Sequence, residues 1–306
     1  MERIHLAIWS FVAFAAVSCM KPAETLKSAR AAHPSKILPS TLENTPVEVP
    51  PNGVLDLVEY RSPVGSLKAY LSRDPLDKKK HPAIVWITGG DCNSLSDVWT
   101  ASPASNDQTA AAYREAGIVT MYPSLRGGNT NPGQREGFLG EVDDILAAAA
   151  YLKGLEYVDS SRVYLGGHST GGTLVLLTAE LTNAFAGVVA FGPVSSPNAY
   201  GKESGFLPYD ETIELEEKIR APALWLQDVN TPTVVFEGGS GNTPHLEYMK
   251  NLSKNPKIKF LTIPNGDHFS VLFPTNKLLA QAIVGNAFFE SAESIAFAAN
   301  GSVVNR

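Results

Sequence analysis

"YLGGHSTGG", residues 164–172, places four glycines around one histidine and one serine. Within it, Gly167-His168-Ser169-Thr170-Gly171 fits Gly-x-Ser-x-Gly. A run of β-branched and aromatic residues, "RVYLGG" (162–167), enters the motif, and "TLVLLTAELT" (173–182) leaves it with helical character. A strand that turns into a helix through a single serine needs a bend where side chains at −2 and +2 would collide, which calls for glycine at both places. Such a bend lifts Ser169 above the sheet in a strained conformation, with the N–H groups of the helix start beside it. An ordinary Gly-rich turn would show the same glycines. The strand before and the helix after favour a nucleophile.

Outward from this point the chain alternates strand and helix signals. "VLDLVEY" (54–60) and "SLKAYLS" (66–72) read as an opening antiparallel pair. "PAIVWIT" (82–88) and "GIVTMYP" (117–123) are continuous apolar runs, the pattern of strands buried on both faces. A helical stretch near 107–116 separates them. "FLGEVDDILAAAAYLKGL" (138–155) carries Val142, Ile145, Leu146, Ala149 and Leu152 on one helical face. "GVVAFG" (187–192), "PTVVFEG" (232–238) and "IKFLTIP" (258–264) are further strands, and "NKLLAQAIVGNAFFESAES" (276–294) reads as one closing helix. The alternation predicts a mostly parallel central sheet with helices on both faces, and a ligand site beyond the carboxyl ends of the strands. Residues 195–231 break the alternation and read as a small cap insertion.

The sequence resembles the α/β-hydrolase superfamily, and within it the catalytic domain of the prolyl oligopeptidase and dienelactone hydrolase kind. Beyond the elbow, the resemblance rests on "YPSLRGG" (122–128), "GEVDDILAAAAYL" (140–152) and "VDSSRVYLGGHSTGG" (158–172), and it covers about residues 53–292. It implies an α/β-hydrolase fold and an acyl-enzyme mechanism on an ester or short peptide, without metal or cofactor.

A serine hydroxyl needs a base. Of six histidines, His268 in "PNGDHFSVL" directly follows the last strand, where the family carries its catalytic histidine. His168 adjoins the serine and reads as a support of the elbow. For the oxyanion hole, Thr170 follows the nucleophile, and Gly90 in "TGGD" (88–91) stands at the family's other donor turn, with Asp91 as its neighbour. The acid departs from the family pattern. "VVFEGGSGNTP" (234–244) has no Asp where one is usual. Glu237, at the strand's carboxyl end, is the nearest carboxylate; Asn242 and Asp267 remain alternatives.

The N-terminus carries an address. "LAIWSFVAFAAV" (6–17) is too short to span a bilayer but suits a signal peptide, and "AVSC" (16–19) resembles a bacterial lipobox. The expected layout is a lipoprotein signal at 1–18, lipidation at Cys19, a Pro-containing tether over 19–52 and the hydrolase domain over 53–306. Met20 in place of Asp favours the outer over the inner membrane, and a plain secreted or periplasmic protein is the other outcome. Net charge of −6 and the lack of a Lys/Arg stripe give no footprint for nucleic acid. A rival reading keeps the fold as a non-catalytic surface lipoprotein with a binding role, supported by the missing Asp alone.

Overall fold

The computed structural model describes residues 24–40, 42, 45–201 and 207–304. The signal segment and Cys19 lie outside the described residues. β1 (Asp56–Ser62) and β2 (Gly65–Leu71) form an antiparallel hairpin, and β2 runs antiparallel to β4 (Val119–Pro123). The remaining pairings are parallel, through β3 (His81–Ile87), β5 (Val158–His168), β6 (Val188–Phe191), β7 (Thr233–Gly238) and β8 (Ile258–Ile263). Among the described residues these strands make one eight-stranded sheet, ordered β1-β2-β4-β3-β5-β6-β7-β8.

Strand alternation divides the core into two layers. In β3, Ala83, Val85 and Ile87 pack on the side of α3 (Glu141–Lys153) and α4 (Thr170–Leu181). Ile84 and Trp86 face α2 (Ala111–Glu115), α7 (Leu272–Val284) and α8 (Ala292–Val304). From β3 the chain crosses to β4 on one side, then returns to β5 on the other. The loops after β3 and β5 therefore diverge, and this switch point opens a crevice above the carboxyl ends of the strands.

Two expectations change. The closing helix over 276–294 is instead two helices, α7 and α8, broken at Gly285, whose N–H donates to the Gln281 carbonyl, and at Asn286, which takes φ +56°. Asparagine tolerates that left-handed geometry, so the chain reverses there. The stretch read as a tether is docked on the body from residue 24 to 38. Its core is α1 (Leu26–Ala32), capped by Thr25, with Leu26 and Ala29 buried. Arg30 donates to the carbonyls of Ile219, Leu139 and Phe138. Ser35 Oγ and the Lys36 N–H donate to Glu216, and Ile37 bridges Tyr209. Polar contacts to the stretch between β6 and β7, rather than an apolar face, hold this strap.

That stretch contains 3₁₀ turns at Pro197–Tyr200, Pro222–Leu224 and Leu226–Asp228, and α5 (Glu214–Lys218). It leaves the carboxyl end of β6, is tied to α4 by a 2.7 Å hydrogen bond between Tyr200 and Thr173, and returns to the amino end of β7, where Asn255 donates to the carbonyls of Leu226 and Val229.

Beneath the strap, α4 buries Glu180, whose two carboxyl oxygens have no hydrogen-bond partner among the described residues. Burial raises its pKa well above 4.5, while the Arg30 charge opposes the rise. A carboxyl that holds its proton more tightly when folded adds stability at low pH and loses it as pH climbs beyond about 4.5. Glu180→Gln should therefore gain melting temperature relative to wild type increasingly between pH 5 and 8, a window set by that raised pKa. A difference that stays constant across thermal melts in that window would contradict the burial argument.

Candidate active site

Ser169 sits where β5 turns into α4, at φ +56° and ψ −117°. Such a non-glycine geometry costs on the order of 1–3 kcal/mol and persists only where the surroundings enforce it. They do so by close packing. A Cβ at Gly171 would lie 2.4 Å from the Ile87 carbonyl oxygen, and one at Gly167 would lie 2.6 Å from that of Gly171. The Ser169 N–H donates to the Phe191 carbonyl at 2.8 Å, fixing the bend against β6.

The candidate acid and base meet across β7 and the loop after β8. Glu237 Oε2 lies 3.0 Å from His268 Nδ1. The carboxylate is fully buried and also accepts from the N–H of Gly238 at 2.6 Å and of Asn242 at 2.8 Å. Its Oε1 takes the Gly238 N–H, and its Oε2 takes the Asn242 N–H and faces the imidazole. The two alternatives do other work. Asn242 donates its side-chain amide to the Gly192 carbonyl. Asp267 accepts from the N–H groups of Phe269 and Ser270, which holds its carboxyl below the usual range and turns it into its own loop.

Sequence reasoning missed how His168 works. Its Nε2 donates to the His268 carbonyl at 3.0 Å, and its Nδ1 lies 3.0 Å from the Gln108 side chain. Burial and the neighbouring His268 push its pKa down to about 3, so it stays neutral and ties the elbow to the histidine loop. Gly192 was missed too, although "FGP" (191–193) marks the end of β6. At φ +56°, a Cβ there would lie 2.4 Å from His268 Cε1 and 2.7 Å from Glu237 Oε2. Gly192→Ala should therefore displace the pair and lower turnover by about 10²-fold, the usual penalty for a misplacement near 1 Å. Unchanged steady-state turnover of a soluble ester would show that the pair tolerates the shift.

The turn expected to complete an oxyanion hole is in contact with the elbow. Thr170 Oγ1 donates to the Gly90 carbonyl at 2.7 Å, joining the loop after β3 to the start of α4. Gly90 itself has φ +73°. Asp91 beside it pairs with Arg135 at 2.7 Å. Cys92 is buried in the core, and burial pushes its thiol up.

A cavity of about 610 Å³ opens at this place, lined among others by Thr88, Gly90, Asp91, Gln108, Ser169 and Phe269. A larger one, about 720 Å³, lies between α1 and α3 and contains none of the Ser169 constellation. Chemistry favours the smaller. Residues 104–231 match the model of the prolyl oligopeptidase family. The chain has the α/β-hydrolase fold, and its residues 104–231 are similar to the prolyl oligopeptidase family. The matched part takes in Ser169 and ends before Glu237 and His268.

Solved α/β-hydrolases share the fold. Dipeptidyl peptidase 4 of Porphyromonas gingivalis superposes with a TM-score of 0.55 at 18% identity, over 68% of this chain and 31% of that one. Acylaminoacyl peptidase of Pyrococcus horikoshii gives 0.59 at 15%, over 75% and 41%. A hyperthermophilic esterase from the archaeon Pyrobaculum calidifontis gives 0.56 at 15%, over 78% and 87%. This α/β-hydrolase thus spans 31% and 41% of the two peptidases, but its body covers most of the esterase.

Proposed function

We propose that this α/β-hydrolase is a serine hydrolase that cleaves esters or short peptides through an acyl-enzyme. The 3.0 Å contact between Glu237 and His268, beside a strained Ser169 at the edge of a 610 Å³ cavity, carries the reading. With Nδ1 engaged by Glu237, His268 has Nε2 left for the serine proton. In this mechanism Ser169 Oγ attacks the carbonyl carbon as His268 takes its proton. The N–H groups of Thr170 and Gly90 receive the developing oxyanion. His268 then protonates the leaving group, and water attacks the acyl-enzyme in the reverse sense.

A fluorophosphonate probe tests the nucleophile most directly. An adduct on Ser169 supports the hydrolase; no adduct on folded protein would favour the non-catalytic binding role. A panel of esters and Pro-containing peptides then separates the two substrate classes. Fold alone does not choose between them.

We also propose a layout of signal at 1–18, lipidation at Cys19 and hydrolase body from 53, with the cap at 195–231, in the cell envelope and at the outer membrane more than the inner. No described helix is long and apolar enough to cross a membrane. Anchoring then rests on acyl chains, and Cys19→Ala should move the protein from the membrane to the soluble fraction. Metabolic labelling with a palmitate analogue checks it. Unlabelled wild-type protein in the soluble fraction would sink the lipoprotein reading.

A further inference from the structure

We propose that the exposed apolar face shared by the cap and α6 (Thr243–Leu252) is a docking surface for the lipid bilayer. The proposal rests on the reading of Cys19 as the lipid anchor. Leu224, Tyr248 and Leu252 are each between 44% and 55% exposed. Leu224 and Tyr248 line one cavity of about 540 Å³, with Ala221, Ala223 and Lys218. Tyr248 and Leu252 are four apart on α6 and share a face. Singly exposed apolar residues need no explanation, whereas a patch built from two elements around a cavity does.

The position of the strap identifies the occupant. Its first described residue, Glu24, pairs with Lys218 at 2.6 Å, and the Leu26 N–H donates to Asp228 at 2.6 Å. The chain therefore enters the body beside Lys218, on the rim of this cavity. Four residues lie between Cys19 and Glu24, so over five Cα steps the anchored Cα lies within about 18 Å of the Glu24 Cα, the span of a fully extended chain. A bilayer holding Cys19 is that close to Glu24, whose partner Lys218 lines the cavity.

The patch chemistry suits a lipid surface. Tyr248 presents an apolar ring with a polar tip, the form favoured at the depth of lipid headgroups. Exposed Lys250 and Lys254 flank Leu252 and can keep their charges in water while their stems lie along apolar surface. Lys250 pairs with Glu247 at 3.6 Å, and Glu214 and Glu217 line the cavity beside Lys218, so the face calls for no anionic lipid.

The test uses the full-length acylated protein in phosphatidylcholine vesicles. Leu224→Cys carries a polarity-sensitive fluorophore, and Leu76→Cys, before β3 at the amino end of the parallel strands, is the control. Buried Cys92 stays unlabelled. Vesicle binding should blue-shift the position-224 probe and lipid-borne spin labels should quench it, while the position-76 probe is unaffected by either. Protein that floats with vesicles while both probes stay unquenched overturns the docking and leaves the anchor standing. Equal quenching at both positions overturns it as well. A blue shift at 224 without lipid-borne quenching assigns the face to a second copy or another protein. Wild-type protein that does not float overturns anchor and docking together.

Discussion

Ser169→Ala should leave the melting temperature within a degree or two of wild type and abolish measurable turnover. The side chain makes no hydrogen bond that holds the fold, since the elbow is fixed by the Ser169 N–H and by the glycines packed on β3. Its hydroxyl is the only atom the substitution removes. Where nucleophile and base act as one unit, loss of either lowers kcat by roughly 10⁶-fold, and loss of both costs little more. His268→Ala should therefore match it, and the double variant should add little. The check is kcat on a soluble ester together with thermal melts. Losses that multiply would show that Ser169 and His268 work separately, and the acyl-enzyme reading would fall.

Glu237→Gln is the second large effect. The Glu237 carboxyl accepts two backbone N–H groups and faces Nδ1 of His268, which in the proposed mechanism takes the serine proton. An amide of the same shape removes the charge that stabilises the imidazolium and favours the wrong tautomer. In serine proteases the corresponding loss lowers kcat by about 10⁴-fold. Glutamine also has one acceptor oxygen for two N–H donors, so a drop in stability of about 1–3 kcal/mol should accompany it. Asn242→Ala should cost less, because Asn242 contributes its backbone N–H to Glu237 and its side chain only to Gly192. Asp267→Asn should alter turnover little. Steady-state kinetics on the three variants rank them directly, and a silent Glu237→Gln beside a crippled Asp267→Asn would move the acid to the histidine loop.

The parallel strands were readable because burial on both faces writes them as unbroken apolar runs, as in "AIVWI" (83–87) and "TVVFEG" (233–238). The elbow was readable because close packing at Gly167 and Gly171 admits no Cβ. The partner of His268 was legible only as a choice among Glu237, Asn242 and Asp267, because that choice depends on the path of the backbone. After Gly238 the chain doubles back so that the Asn242 N–H meets Glu237, and a Cβ at Gly241 would lie 2.4 Å from that carboxylate. Nothing in "EGGSGN" (237–242) distinguishes that path from one that offers Asn242 itself. The strap was hidden for another reason. Its short α1 buries only Leu26 and Ala29, and polar bonds to residues far along the chain do the rest. The break in the C-terminal helix turns on a single left-handed Asn286 within otherwise helical sequence.

The strap also sets an order of assembly. Leu26 finds Asp228 across 202 residues, and Ser35 finds Glu216 across 181. Loops of this size add little to the entropy of closure, about 0.6 kcal/mol for each doubling of length, so the contacts are affordable once the body exists. They are nonetheless impossible before it. A ribosome must deliver the cap before the first described residues have anything to bind, and the earliest part of the chain is among the last to settle. Any enzyme that acts near residue 19 during synthesis therefore meets residues 24–38 still undocked, and the strap closes over the cap only afterwards.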